Sequence, residues 1–195
     1  MTLPRGIRNR NPGNIRCASQ FNWIGELKLP KSDKRYDAEF CVFEDVDYGL
    51  RALMKLLINY QQKHGLNTVR KAINRWAPPI ENNTSAYVKA VAKHMDVDPD
   101  TELNFTDYTV LVPMTRAIVL HENGNPANQI GEDYKSKGYD QYWYTPATYQ
   151  NAYELAAKGR LITHTMNQVI KPEVLTKPKP KPSCLERILN TIKGA

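Results

Sequence analysis

At 195 residues, with 41% hydrophobic and 24% charged side chains, the chain has the size and composition of one globular domain with a substantial core. Its net charge is +7, but six basic residues against two acidic ones lie from Lys171 onward, so the preceding part is only mildly basic. That balance disfavours a dedicated nucleic-acid binder and leaves polyanions such as anionic lipid or an acidic cell wall as partners for local basic clusters. No run approaches the roughly 18 apolar residues of a spanning helix. The N-terminal Met1-Thr2-Leu3-Pro4-Arg5 segment lacks the apolar stretch of a secretory signal.

In chain order, Arg5, Arg8, Arg10 and Arg16 form a basic cluster around the turn-rich loop Asn11-Pro12-Gly13-Asn14-Ile15-Arg16. A short Trp23-Ile24-Gly25 element follows. In Lys31 to Phe43, Tyr36, Ala38 and Phe40 alternate with polar residues, which predicts a small hairpin lobe. Asp45 is placed to cap a helix running to His64, with Gly65 as its stop. Thr68 caps a second helix through Trp76, closed by Pro78-Pro79. Asn83 or Thr84 caps a third, carrying Tyr87, Val88 and Val91. A fourth lies between Thr106 and Asn123, with Pro113 either kinking it or marking its start. The Tyr-rich stretch from Gly131 to Tyr149 leads into a helix over about Pro146 to Lys158. A Lys/Pro linker (171–182) follows, extended because alternating prolines cannot pack a core. Ser183-Cys184-Leu185-Glu186 is a capping box for a final short amphipathic helix (183–195).

The stretch with most chemical content is Ile118-Val119-Leu120-His121-Glu122-Asn123-Gly124. An apolar helical run delivers a carboxylate to its last turn and stops at Asn-Gly. A carboxyl there faces the negative end of the helix dipole, and burial by apolar neighbours also favours its neutral form. A general acid for glycosidic bonds needs such a group at the rim of a cleft. The same residues equally describe a solvated last-turn glutamate. His121 faces another side of the helix and is not expected to partner Glu122. A second signal is Trp76-Ala77-Pro78-Pro79-Ile80-Glu81-Asn82-Asn83-Thr84-Ser85-Ala86-Tyr87, where aromatics flank amide and hydroxyl groups as in sugar sites. It also reads simply as an interhelical turn with its cap. His64, His94, His121 and His164 are dispersed, and Cys17, Cys41 and Cys184 are widely spaced. No metal or cofactor is therefore expected, and the cysteines read as free thiols made in a reducing compartment.

The order of the Asn11-Pro12-Gly13-Asn14-Ile15-Arg16 loop, Trp23-Ile24-Gly25, Phe40-Cys41-Val42-Phe43, the Gly49-containing helix and Trp76-Ala77-Pro78-Pro79 resembles phage-type peptidoglycan hydrolases. More distantly it is similar to flagellar-type and autolysin-type glucosaminidases of the lysozyme superfamily. In those proteins the catalytic glutamate precedes these elements, whereas Glu122 follows them, so the resemblance implies a circular permutation, which adjacent termini permit. It implies a mainly α lysozyme-like domain (1–170) with a small β-hairpin lobe. Glu122 would be the acid, and Asn14, Trp76, Glu81 and Tyr87 would bind the glycan. A second carboxylate would come from Asp33, Asp37 or Glu39, with Asp37 carried forward. Without one, a lytic transglycosylase needs only a single acid/base. The implied partner is the peptidoglycan glycan strand, met by a monomer that passes a holin-type lesion or rides in the virion. The basic tail could contact anionic membrane or a virion protein. The rival expectation is a non-catalytic virion structural protein that retains the domain.

Overall fold

The structure, a computed structural model, describes residues 3–18, 22–80 and 83–158. The chain divides into a compact unit, Met1–Ile162, and a second, Thr163–Ala195. The linker and terminal helix expected for 171–195 lie outside the described residues, as does Glu81.

The described part is mainly helical, as expected. After the short α1 (Arg5–Arg8), α2 (Val46–His64) begins at Asp45, whose side chain accepts from the Asp47 amide, and stops at Gly65 in the left-handed conformation at φ 65°. That conformation favours glycine because it lacks a Cβ. α3 (Val69–Trp76) is capped by Thr68 through the Lys71 amide, and α4 (Thr84–Met95) by Asn83 through the Ala86 amide. α5 (Tyr108–Asn123) starts at Asp107 rather than at Pro113, which lies inside it. The proline lacks the N–H that would meet Thr109, a loss confined to the second turn. Besides α1, two further elements carry too few residues for a periodic signal: α6 (Pro126–Ile130) and a 3-10 turn at Glu132–Lys135. α7 (Pro146–Tyr153) continues into a π-helical turn, Glu154–Lys158.

The core forms where α2 meets α5 and α7, with α4 packed along α5 and α3 packed against α4. Leu50, Leu53, Met54 and Leu57 from α2 join Leu111, Met114, Ile118 and Val119 from α5, all fully buried. The Tyr-rich segment completes this core. Trp143 and Tyr149 are fully buried, and the Arg116 guanidinium of α5 lies over the Tyr142 and Tyr149 rings at 5.1 and 4.9 Å. These aromatics serve packing, with a cation over their faces.

The hairpin expected over Lys31 to Phe43 does not form among the described residues. Asp33 accepts from the Arg35 amide, and Asp37 accepts from those of Glu39 and Phe40. Such local side-chain bonds compete with a strand ladder and fold the segment into turns. What pairing exists joins it to earlier chain through isolated antiparallel bridges, Arg16 with Phe40 and Glu26 with Phe43.

Candidate functional site

Glu122 stands in the last turn of α5, half-buried, and three donors from three elements converge on its carboxylate. Tyr87 Oη donates to Oε1 at 2.9 Å, Trp76 Nε1 donates to the same oxygen at 3.2 Å, and Asn14 Nδ2 donates to Oε2 at 3.0 Å. Tyr87 comes from the first turn of α4, Trp76 from the end of α3, and Asn14 from the opening loop. The carboxylate is thereby fixed in position, since each oxygen is held from a different side.

The loop that carries Asn14 is built around its own asparagines. Asn11, fully buried, accepts from the Ile15 amide at 2.9 Å and donates to the Ile15 and Cys41 carbonyls. Asn123, the last residue of α5, donates to the Pro12 carbonyl at 2.7 Å and to Val119 at 2.9 Å. Asn14 itself sits at φ 49°, which asparagine tolerates better than most residues. Close approach matters as well. A Cβ on Gly13 would press on the Trp76 ring at 3.2 Å, and one on Gly49 of α2 would collide with the Arg10 carbonyl.

Glu122 opens onto a cleft of about 360 Å³ whose lining includes Asn14, Arg16, Phe40, Tyr60 and Trp76. Two aromatic rings, an indole, an amide and a guanidinium around a carboxylate suit a ligand with both apolar faces and hydroxyls. No local pattern marks Arg16, Phe40 or Tyr60 as cleft residues; helical spacing of Tyr60 points only to a packed face. The Phe40 ring lies under the guanidiniums of Arg5 and Arg16 at 4.7 and 5.2 Å, which gives that wall a basic edge.

The structure brings together Glu122, Asn14, Trp76 and Tyr87 and leaves Asp37 apart. Tyr87, expected in the cleft wall, is only 3% exposed and lies behind the carboxylate, where its hydroxyl orients Glu122. Burial, then the Glu122 charge and the hydrogen bond between them, keep that hydroxyl protonated well above the usual tyrosine range. Its ring stacks on His121 at 3.5 Å. Burial lowers the His121 pKa against the pull of Glu122, so the stacked imidazole favours its neutral form. Asp37 does not line the cleft. It accepts from Asn9 Nδ2 at 2.9 Å and from the two amides that fold its turn, with Arg5 at 3.8 Å. Burial would raise its pKa, but those hydrogen bonds and Arg5 outweigh it and hold the carboxyl low. Its contacts are those of a loop-organising residue.

Cys17 and Cys41, distant in sequence, meet with their sulfurs 3.1 Å apart, and both are free thiols. Their wide spacing in the sequence points to no ligand set, yet Glu26 Oε1 lies 3.6 Å from Cys17 Sγ. The chain's folding through Gly25 and Glu26 supplies this neighbour, which spacing alone does not reveal.

Compared with known proteins, the chain is similar to Protein P5 of Pseudoalteromonas phage PM2, with 33% identity over 142 residues that cover 72% of this chain and 82% of that protein. No protein-family model matches it. Among the described residues no helix is long and apolar enough to cross a membrane.

Proposed function

The chain belongs to the family of Protein P5 of Pseudoalteromonas phage PM2, and from that bacteriophage context and the cleft we propose that it cleaves glycosidic bonds of the peptidoglycan glycan strand. The observation that carries this reading is the Glu122 carboxylate, half-buried at a cleft and oriented by Asn14, Trp76 and Tyr87. In the proposed step Glu122 protonates the glycosidic oxygen as the bond to the sugar carbon breaks. Tyr87 serves both protonation states, since its hydroxyl can donate to the carboxylate or accept from the carboxylic acid. Asn14 and Trp76 hold the group and, with Phe40, offer an amide and flat apolar faces to the sugar rings.

Among the described lining residues Glu122 is the sole carboxylate. That favours the lytic-transglycosylase form of the reaction. The ionised Glu122 then takes the proton of a hydroxyl on the substrate itself, and that oxygen closes an anhydro ring. The lysozyme-like ancestry and rotated chain order belong to the same proposal. They are supported by the contact of the opening loop with a glutamate 108 residues later, from Asn14 to Glu122. Acting at the wall, released through a holin-type lesion or carried in the virion, is the matching setting.

A zymogram on purified peptidoglycan tests the reading. Wild type should clear the gel and Glu122→Gln should not. Equal clearing by both would remove Glu122 from the chemistry, and no clearing by either would favour a structural virion role.

A further inference from the structure

Beside the cleft, three chain segments without regular strands meet edge to edge. The amide of Cys17 donates to the Glu39 carbonyl and that of Cys41 to Ile15, both at 2.9 Å, while the amide of Leu27 donates to Val42 at 2.8 Å. In an antiparallel pairing side chains alternate in facing. The Arg16–Phe40 bridge therefore puts Cys17 and Cys41 on one face, and the Glu26–Phe43 bridge adds Glu26 to it. One sulfur or oxygen from each of Cys17, Glu26 and Cys41 lies within 4.8 Å of the other two.

We propose that Cys17, Cys41 and Glu26 form a binding site for a thiophilic divalent cation, of which zinc is the commonest biological example. Two thiolates and a carboxylate are a ligand set that suits zinc, with the fourth position left to water. Cys17 is exposed and supplies the entry path, while Cys41 is buried and supplies the anchor. The Glu26 side chain is only 2% exposed, so it is committed to this cluster and not to solvent. Its Oε2 accepts from the Trp23 amide at 3.2 Å, which aims Oε1 toward the thiols. Lys28, half-exposed, places its ammonium 2.5 Å from Oε1. When a dication binds, the two thiols release their protons to solvent. The three negative ligands are then balanced by the cation together with the Lys28 ammonium, which a monovalent cation would not achieve.

A disulfide is the competing fate of two neighbouring thiols. The sulfur separation of 3.1 Å lies between the ~2.05 Å of a disulfide and the ~3.8 Å of a tetrahedral zinc site with bonds of about 2.3 Å. The buried carboxylate decides between them. It has no part in a disulfide, whereas a cation uses all three groups. The bound ion would clamp the loop residues Ile15 and Arg16 to the segment around Phe40, independently of the reaction the cleft performs.

The test is cobalt titration of the reduced, metal-free full-length chain under anaerobic conditions, with Cys184→Ser to silence the third thiol. One equivalent of cobalt should produce thiolate-to-metal absorption in the near ultraviolet, abolished by added zinc. Cys17→Ser, whose folding is checked by circular dichroism, should lose that absorption, and zinc should raise the Tm of the parent but not of this variant. Glu26→Gln should bind more weakly. The proposal is overturned if the reduced parent takes up no cobalt, if Cys17→Ser gives an undiminished band, or if the pair only closes to a disulfide two hydrogens lighter.

Discussion

Glu122 is held by groups that differ in what they can reach, and this separates their expected kinetic effects. Trp76 touches both the carboxylate and the cleft, whereas Tyr87 is buried, is not among the cleft-lining residues, and meets the carboxylate with its hydroxyl while its ring stacks on His121. Tyr87→Phe should therefore lower kcat by roughly tenfold, about 1.4 kcal/mol, with KM little changed, because one hydrogen bond to a charged group is lost behind the substrate. Trp76→Phe should lower kcat and also raise KM, since it removes a donor and reshapes the wall. Steady-state kinetics on a soluble glycan fragment separates the two, and a KM rise in Tyr87→Phe matching that of Trp76→Phe would contradict the division of roles. Glu122 was legible in the sequence as a last-turn carboxylate, but its partners were not equally so. Trp76 and Tyr87 stood out through the aromatic-flanked loop. Asn123, which ties the loop to α5 through Pro12, carried only a helix-stop signal because its second bond spans 111 residues.

At the scale of elements, helices were readable wherever a cap and a periodic apolar face coincided, as at Asp45, Thr68 and Asn83. The Lys31 to Phe43 segment was not, since alternation of Tyr36, Ala38 and Phe40 loses to the side-chain caps of Asp33 and Asp37. α2 carries two testable features. Gly49→Ala should destabilise the fold by about 1–3 kcal/mol in urea denaturation, because the obstructing atom is the Arg10 backbone carbonyl and cannot swing aside. Propensity alone would make the same change stabilising, so an unchanged midpoint would refute the close approach. Asp47, half-buried near Asp45, has its pKa raised to about 6 by burial first and then by that like charge. Its folded value lies above its unfolded one. The associated stability is therefore fully present below about pH 4 and lost as pH rises through about 6. Asp47→Asn should remove that pH dependence of Tm between pH 4 and 7 and raise stability at pH 7.

For the whole molecule, the cleft, its carboxylate and the core all lie within the described part of the first unit. A chain truncated after Ile170 should fold and cleave purified peptidoglycan as the full chain does; loss of folding would show that the core needs the tail. The contact that brings the asparagine loop onto the glutamate helix was not legible locally, because no short pattern records contacts across 108 residues. Glu122→Gln probes that assembly most directly. Gln keeps an acceptor for Trp76 and Tyr87, and the Asn14 amide can turn its Oδ1, buried without a partner, toward the new NH2 group. The variant should therefore fold like wild type while losing its proton donor. Muropeptide release from purified peptidoglycan, followed by mass spectrometry, should fall by about 10²–10⁴-fold in Glu122→Gln at unchanged Tm. Wild-type release of anhydro products at the same rate by both proteins would contradict the assignment of Glu122 as the acid.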